Sequence, residues 1–197
     1  EDKQIPLIEK DLIDNWLKGY RMSVTHLNKY LRCPITFYFE GVLKVPHARN
    51  AYAGFGTAMH DALQHYFEKI NNTKDSNLNN LLQFFEESMH KYKSNFTHEE
   101  FESYKIHGNK TLKALHQDRI TEWAKVREFS LEKKLSNSEY KGIPIKGVLD
   151  KVEIFKDYVN VVDYKTGNAT AYKTKAKLKP PSDKNPVGGD YWRQLVF

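Results

Sequence analysis

The sequence predicts a mixed α/β protein with a helical N-terminal portion followed by a strand meander. Apolar residues recur at helical spacing over much of residues 23–126, and from residue 127 they alternate with polar ones, as in strands. The chain has 197 residues, of which 40% are hydrophobic and 13% aromatic, so it can build a core. Its single cysteine excludes an intramolecular disulfide framework and favours a reducing compartment, so we expect a cytoplasmic protein.

The helical portion divides into several predicted segments. Residues 1–22 form a lead-in, and Ser23 is a good N-cap for the helix that follows. The clearest helical spacing runs from about residue 57 to residue 70. A polar loop over residues 71–80 then leads to two more helices, at about 81–96 and 110–126.

The C-terminal portion is predicted to begin with three strands within residues 127–165. Residues 166–190 are rich in Lys, Pro and Gly and predict a basic loop, and residues 191–197 begin a last helix that is cut short. No apolar run approaches the roughly 20 residues of a membrane span, so we expect no membrane partner. We expect residues 1–197 to be one domain of a longer protein, because the sequence starts without Met and stops in an apolar run.

The stretch 147–167 carries the candidate chemistry. If residues 156–157 close a hairpin, Asp150 lies directly opposite Asp163, with Cβ atoms about 4.5–5.5 Å apart. Two carboxylates at that distance repel each other, and a divalent cation such as Mg²⁺ would remove the conflict. Lys165 lies on the same face, where it could hold a water molecule or steady a phosphate. The alternative is that these are ordinary charges on a solvated strand face.

These residues resemble the motifs of a known protein family. Asp150 followed by Asp163-Tyr164-Lys165 resembles the D…(D/E)xK signature of the PD-(D/E)xK nuclease superfamily, in the version of the RecB-type nuclease domains of helicase–nucleases. Segment 23–34 resembles the opening helix of that family, and segment 56–60 resembles its Gly-x-x-x-His motif. Gln194 resembles the start of its Gln-x-x-x-Tyr motif. The four motifs together are far more specific than any one of them.

The resemblance implies a restriction-endonuclease-like core, that is, a twisted mixed sheet flanked by helices. It also implies that Mg²⁺ or Mn²⁺ is held by His60, Asp150, Asp163 and the backbone carbonyl of Tyr164, and that Asp150, Asp163 and Lys165 are catalytic. Taken alone, a histidine at the edge of an apolar helix face, as His60 is, is more often structural.

Two further residues bear on metal chemistry. Glu132 alternates away from the apolar positions of its strand and is an auxiliary candidate for the same cleft, although a solvated strand charge fits it equally well. Some relatives hold a [4Fe–4S] cluster through a cysteine near the position of Cys33 and three others. This sequence has no other cysteine, so we expect no iron–sulfur cluster.

The predicted basic loop and the last helix are candidates for DNA contact. Residues 165–184 contain six lysines and one acidic residue, which suits a phosphate backbone, although a solvated flexible loop is the alternative. In the last helix the contacts are implied by the resemblance, whose tyrosine would fall after the final residue of this chain. The predicted DNA contacts are Lys173, Lys175, Lys177, Tyr191, Arg193 and Gln194.

The predicted function is metal-dependent hydrolysis of DNA, as an exonuclease within a larger ATP-dependent helicase–nuclease of recombination and repair. The substrate would be single-stranded DNA or a duplex end, and the helicase would lie in the same chain or in a partner, since no G-x-x-x-x-G-K-[ST] motif is present. A net charge of +6 fits a polyanionic partner. One alternative is a catalytically incomplete DNA-binding module that guides a strand for a partner helicase. The other is a structural domain.

Overall fold

The computed structural model describes residues 10–46, 48–167 and 172–197, without the side chains of residues 172–174. Helices and a three-stranded sheet make up this part of the chain, which confirms the predicted α/β class. None of the helices described is both long and apolar enough to cross a membrane. The main elements in chain order are α1 (Lys10–Lys18), α2 (Val24–Arg32), α3 (Pro34–Phe37), α4 (Ala51–Thr73), α5 (Leu78–Lys91), α6 (His98–Trp123), β1 (Glu128–Tyr140), β2 (Ile143–Ile154), β3 (Val159–Val162), α7 (Tyr172–Lys177) and α8 (Asp190–Val196).

The chain divides into two compact units. The first, which we call the core unit, comprises residues 48–134 and 148–169, and the second comprises residues 1–47, 135–147 and 170–197. The main cluster of buried apolar side chains extends from Phe55 to Phe129 and therefore lies in the core unit. That residues 1–197 act as one domain stays a prediction.

Helix α4 is the element on which the core unit is built. It begins at Ala51, earlier than predicted, because the Asn50 side chain accepts a hydrogen bond from the Ala53 N–H at 3.1 Å and caps the helix. Gly54 lies inside the helix, and a Cβ there would come within 2.7 Å of the Asn95 Cβ. This glycine therefore permits close packing of α4 against the segment that contains Asn95.

The polar segment predicted as a loop over residues 71–80 is mostly helical. Helix α4 continues to Thr73, and Lys74 then adopts a left-handed conformation with φ 58°. Helix α5 begins at Leu78, where Asn77 supplies the cap. Asparagine is a poor residue in helix interiors but a good one at caps, which explains why composition alone predicted a longer loop.

Helix α6 starts earlier than its apolar spacing indicates. Thr97 and Glu100 form a reciprocal capping box, in which each side chain bonds the backbone N–H of the other. Within α6, Gly108 is buried against the Phe85 ring of α5. The two helices meet closely because no side chain separates them at this glycine.

We expect Gly108→Ala to destabilise the protein. A Cβ at this position would meet the Phe85 Cζ atom at 2.1 Å, and Phe85 is fully buried. Overpacking of this kind costs about 1–3 kcal/mol, which outweighs the roughly 1 kcal/mol that alanine gains over glycine in a helix. Thermal unfolding should therefore show a lower melting temperature. Gly147→Ala is the control, because no atom lies within 4 Å of its added Cβ. Equal effects of the two changes would contradict the packing argument.

The sheet has the strand order β1-β2-β3. Strands β2 and β3 are antiparallel, with Val152 opposite Val161 and Ile154 opposite Val159, which confirms the predicted hairpin register. The Phe155 N–H donates to the Tyr158 carbonyl at 3.0 Å and closes the turn. At the other side of the sheet, the Asn71 side chain of α4 bonds both the N–H and the carbonyl of Phe129, at 3.0 and 2.6 Å. This contact anchors the start of β1 on α4.

In the second unit, Ser23 caps α2 as predicted, since its hydroxyl oxygen accepts from the His26 N–H at 3.2 Å. The last helix is present as α8. The prediction that residues 166–190 form only a loop is wrong over residues 172–177, which form α7. Lysine and alanine favour helices, so a segment that is basic in composition can still form a short helix between its Pro- and Gly-containing parts.

Candidate metal centre

Three side chains of the core unit converge at one cleft. One ligand atom each of His60, Glu132 and Asp150 lie within 4.8 Å of one another. The cleft has a volume of about 480 Å³, and Ala53 and Thr57 of α4 also line it. Helix α4, strand β1 and strand β2 each contribute one member of the cluster, so residues 60, 132 and 150 meet only when the unit is folded.

His60 contacts two of its neighbours through different ring nitrogens. Its Nε2 lies 3.2 Å from the carbonyl oxygen of Tyr164, and its Nδ1 lies 3.5 Å from Asp150 Oδ2. The imidazole side chain is 33% exposed and the Asp150 side chain only 15%, so the pair sits at the wall of the cleft, open on one side. The structure therefore brings three of the four predicted metal-binding groups together: the imidazole, the Asp150 carboxylate and the Tyr164 carbonyl.

Asp150 is held in place by backbone that follows β3. The Tyr164 N–H donates to Asp150 Oδ2 at 2.8 Å. One carboxylate oxygen thus has a fixed partner, and Tyr164 contacts the cluster through both its N–H and its carbonyl. The hairpin register explains this, because Lys151 is paired with Val162 and Asp150 is the residue that precedes Lys151 in β2.

Glu132 enters the cluster through an unusual backbone conformation. Its φ is 45° although it lies within β1, a left-handed value that costs a non-glycine residue on the order of 1–3 kcal/mol. Burial and the Asp150 carboxylate raise the pKa of Glu132, while His60 acts in the opposite direction. Such strain is concentrated at functional sites in proteins, and here it accompanies a carboxylate held against another carboxylate.

The cluster fits a divalent cation. Two carboxylates and an imidazole are suitable ligands for Mn²⁺, and Mg²⁺ prefers the carboxylate oxygens. Atoms bound to one small ion at about 2.1 Å lie no more than about 4.2 Å apart. The ligand atoms here all lie within 4.8 Å of one another, so small side-chain movements would bring the three onto one ion. A cation would also remove the repulsion that raises the pKa of Glu132.

Asp163 and Lys165 contact each other at the end of the hairpin. The Lys165 Nζ lies against Asp163 Oδ2 in an ion pair. Asp163 follows the last residue of β3 and, among the residues that the structure describes, is not in the group whose ligand atoms converge. Its role as a ligand and the catalytic role of Lys165 therefore stay predictions.

The predicted DNA contacts lie in or beside α7 and α8 of the second unit. Arg193 is only 8% exposed, and its guanidinium donates to Asn28 Oδ1 and to the carbonyls of Val187 and Gly188. These bonds give Arg193 a structural role, which argues against its predicted contact with DNA. The Lys177 Nζ lies 5.0 Å from the centre of the Tyr191 ring. Lys175 is exposed and Gln194 is half-buried, whereas the Lys173 side chain is outside the described part.

Sequence analysis missed two charged residues of β2. Lys151 and Glu153 are 2% and 1% exposed, and they form an ion pair behind the metal cluster. A signal was present, since opposite charges two positions apart share one face of a strand. Such a pattern is compatible with a buried pair, although β2 also carries the charges of Lys146 and Asp150.

Comparison with known proteins agrees with the geometry. The chain matches the profile of the PD-(D/E)XK nuclease superfamily over residues 21–188. The match covers most of the 197 residues, so the chain belongs to this superfamily, whose members are nucleases that use divalent metals. The comparisons with curated proteins and with solved structures gave no match.

We expect Glu132→Gln to stabilise the metal-free protein and to weaken metal binding. A raised folded-state pKa means that the protonated carboxyl stabilises the fold at low pH, and that this stabilisation is lost as pH rises through the folded-state pKa. At pH 7 the neutral amide avoids the cost of keeping a charged carboxylate at this half-buried position beside Asp150. The melting temperature of the metal-free protein should therefore rise by roughly a few degrees. The gain should shrink towards pH 4, where glutamate is largely protonated even when unfolded.

The same melting curves with and without Mn²⁺ check both halves of this prediction. The rise in melting temperature that Mn²⁺ causes in the wild type should be lost in Glu132→Gln. Glu128→Gln, at an exposed position of the same strand, should change neither quantity. A Glu132→Gln variant that is less stable without metal, or that keeps the full Mn²⁺ effect, would show that this carboxylate is not held in repulsion at a metal site.

Proposed function

We propose that the chain is a divalent-metal-dependent deoxyribonuclease that degrades DNA from an end. The observation that carries the proposal is the convergence of His60, Glu132 and Asp150 at an open cleft in a member of a nuclease superfamily. Phosphodiester hydrolysis needs charge stabilisation on the phosphate and an activated water, and a cluster of this composition can supply both through a bound ion.

The residues of the cleft have distinct proposed roles. His60, Glu132 and Asp150 would hold Mg²⁺ or Mn²⁺, with the Tyr164 carbonyl and Asp163 as further ligands. The chemistry that such an ion would supply is polarisation of the scissile phosphate and a lower pKa of the attacking water. Lys165 would orient that water or stabilise the negative charge that develops on the phosphate. None of these groups needs to form a covalent bond to the substrate.

DNA is the proposed substrate because the charge of the chain suits a polyanion. The net charge is +6, and the lysines that follow the hairpin outnumber the acidic residues there. Lys173, Lys175 and Lys177 would contact phosphates, and Tyr191 and Gln194 would contribute to the same surface. We expect affinity for DNA to fall steeply as salt is raised, since phosphate contacts release counterions.

The proposed wider context is an ATP-dependent helicase–nuclease of recombination and repair, with a RecB-type arrangement. This proposal rests on the order of the motifs in the sequence. It is tested in the full-length protein, where degradation of duplex DNA should require ATP if a helicase feeds the strand to the nuclease site.

A catalytically incomplete DNA-binding module is the second candidate. It is favoured by the ion pair between Lys165 and Asp163, two groups that an active site would direct at metal and phosphate. Both candidate functions predict binding of DNA, but only the nuclease predicts cleavage.

The decisive experiment compares linear and circular single-stranded DNA of one length in Mn²⁺, with EDTA as the metal-free control. Degradation of the linear DNA alone supports the proposed exonuclease. Cutting of both substrates supports metal-dependent hydrolysis of DNA and contradicts the requirement for a DNA end. DNA binding without cleavage of either substrate favours the binding module and contradicts the proposed enzyme.

A further inference from the structure

The core unit contains a buried ion pair outside the metal cluster. Lys151 Nζ lies 2.7 Å from Glu153 Oε1, and the two residues are 2% and 1% exposed. The second oxygen, Glu153 Oε2, accepts a hydrogen bond from the Asn160 side chain of β3 at 2.7 Å. Burial lowers the pKa of Lys151, and Glu153 opposes the change. Glu153 Oε2 is therefore hydrogen-bonded, whereas Oε1 has the ion contact with Lys151 and no hydrogen bond among the described residues.

Aromatic rings surround the Lys151 ammonium. Its Nζ lies 4.0 Å from the centre of the Phe67 ring, 5.1 Å from that of Trp123, and 5.6 Å from those of Phe129 and Tyr164. A cation is attracted to aromatic faces at these distances, and the attraction is stronger when water is excluded. We call Lys151, Glu153 and these four rings the aromatic cage.

Stability alone gives a weak reason for this arrangement. Removing two charges from water is costly, and replacing a buried ion pair by apolar side chains is often neutral or stabilising. The surroundings of Lys151 are the apolar core of the unit, in which a methionine or leucine would pack without that cost. A role in fixing local geometry explains why a cation is placed there.

Tyr164 connects the aromatic cage with the metal cluster. Its ring is part of the cage, while its N–H bonds Asp150 and its carbonyl lies beside His60 Nε2. The ring also packs edge-on against the His60 imidazole, with centres 5.4 Å apart. Asp150 and Lys151 are neighbours on a strand, so their side chains point to opposite faces and the cage lies behind the cluster.

The Tyr164 ring lacks the anchor that a buried tyrosine usually has. Its hydroxyl is buried, and the described residues provide no hydrogen-bond partner for it. The position of the ring therefore depends on packing and on the ammonium of Lys151. The backbone of Tyr164 moves with its ring. The cation behind the ring therefore also affects the positions of the Tyr164 N–H and carbonyl at the cluster.

We propose that Lys151 and Glu153 are positioning residues for the metal centre, acting through Tyr164. The ion pair holds the Tyr164 ring so that the backbone N–H stays on Asp150 and the carbonyl stays beside His60. This inference rests on the proposed metal-dependent function, and it adds a part of the site that touches neither metal nor substrate.

The test is the double variant Lys151→Met/Glu153→Leu, which removes both charges and leaves apolar side chains in the core. Hydrogen exchange of the Tyr164 amide and the affinity for Mn²⁺ are measured on the full chain. We expect the protection of this amide to fall at least about tenfold and Mn²⁺ binding to weaken about 10–100-fold, as for other groups that orient metal ligands. The Phe155 amide, bonded at the turn of the same hairpin, should keep its protection.

Leu112→Ala separates positioning from general loss of stability. Leu112 is fully buried in the same core, and its truncation should lower the melting temperature while leaving Mn²⁺ affinity and Tyr164 protection unchanged relative to the neighbouring amides. The single variant Lys151→Met leaves the Glu153 charge buried without its cation and is expected to be less stable than the double variant. If the single variant does not fold, the double variant still tests the positioning role.

Each outcome bears on one of the two proposals. If the double variant binds Mn²⁺ with an affinity within twofold of the wild type, the positioning role is overturned, whether or not the protection of the Tyr164 amide changes. Unchanged protection of that amide overturns the role of Tyr164 as the connection. Failure of the wild-type protein to bind Mn²⁺ overturns the proposed metal centre itself, and the positioning role with it.

Discussion

Replacing Asp150 by Asn is expected to abolish metal-dependent cleavage. The carboxylate lies 3.5 Å from His60, accepts the Tyr164 N–H and belongs to the converging group. An amide keeps the shape but removes the negative charge and places an NH₂ group where an acceptor is needed. Loss of an outer-shell partner already costs about 10–100-fold, so loss of a ligand should exceed about 100-fold in cleavage rate.

Asp157→Asn is the matched control for this change. Asp157 is an exposed residue at the turn of the same hairpin and carries the same charge. Calorimetric titration with Mn²⁺ and rates of release of nucleotides from linear DNA should both be unaffected in Asp157→Asn and strongly reduced in Asp150→Asn. Comparable cleavage by the two variants would place the chemistry elsewhere in the protein.

Lys165→Ala is expected to lose cleavage while retaining metal. The lysine contacts Asp163, whose carboxylate lies near the end of the hairpin, and its removal leaves the cluster of His60, Glu132 and Asp150 intact. If Lys165 stabilises charge on the phosphate, its loss should cost about 10²–10³-fold in rate, the usual effect of removing one such group. Because a positive charge is removed, Mn²⁺ should bind at least as tightly as in the wild type.

Lys156→Ala, at an exposed turn position, controls for the loss of one lysine from a DNA-binding protein. Rates are compared at saturating DNA, so that a change in affinity does not count as a change in chemistry. Retention of the wild-type rate in Lys165→Ala would remove this lysine from the mechanism. A simultaneous loss of Mn²⁺ binding would indicate that it supports the fold of the site instead.

The parts of the structure that sequence predicted best are those fixed by local geometry. The hairpin register follows from the length of its turn and from strand alternation, so Val152 and Val161 could be paired without a structure. The capping of α2 by Ser23 follows from the chemistry of helix ends in the same way. Asp150 could be predicted as a ligand because it combines this register with a family motif, and the structure brings its carboxylate close to His60 and Glu132.

The remaining features depend on tertiary contacts that no local pattern encodes. Glu132 was only an auxiliary candidate, because strand alternation does not distinguish a carboxylate in the cleft from a solvated charge, and it does not predict the left-handed φ of this residue. The lysine and glutamate of the aromatic cage were passed over, because charged residues are rarely buried. Arg193 was expected at DNA, but carbonyls of the preceding turn and Asn28 bind its guanidinium.

The most direct test of the metal centre is anomalous scattering from crystals of the protein grown or soaked with Mn²⁺. We predict an anomalous peak in the cleft, with the ligand atoms of His60, Glu132 and Asp150 at about 2.1–2.3 Å. Ordered Mn²⁺ bound elsewhere in the chain, with these three side chains without metal, would contradict the account.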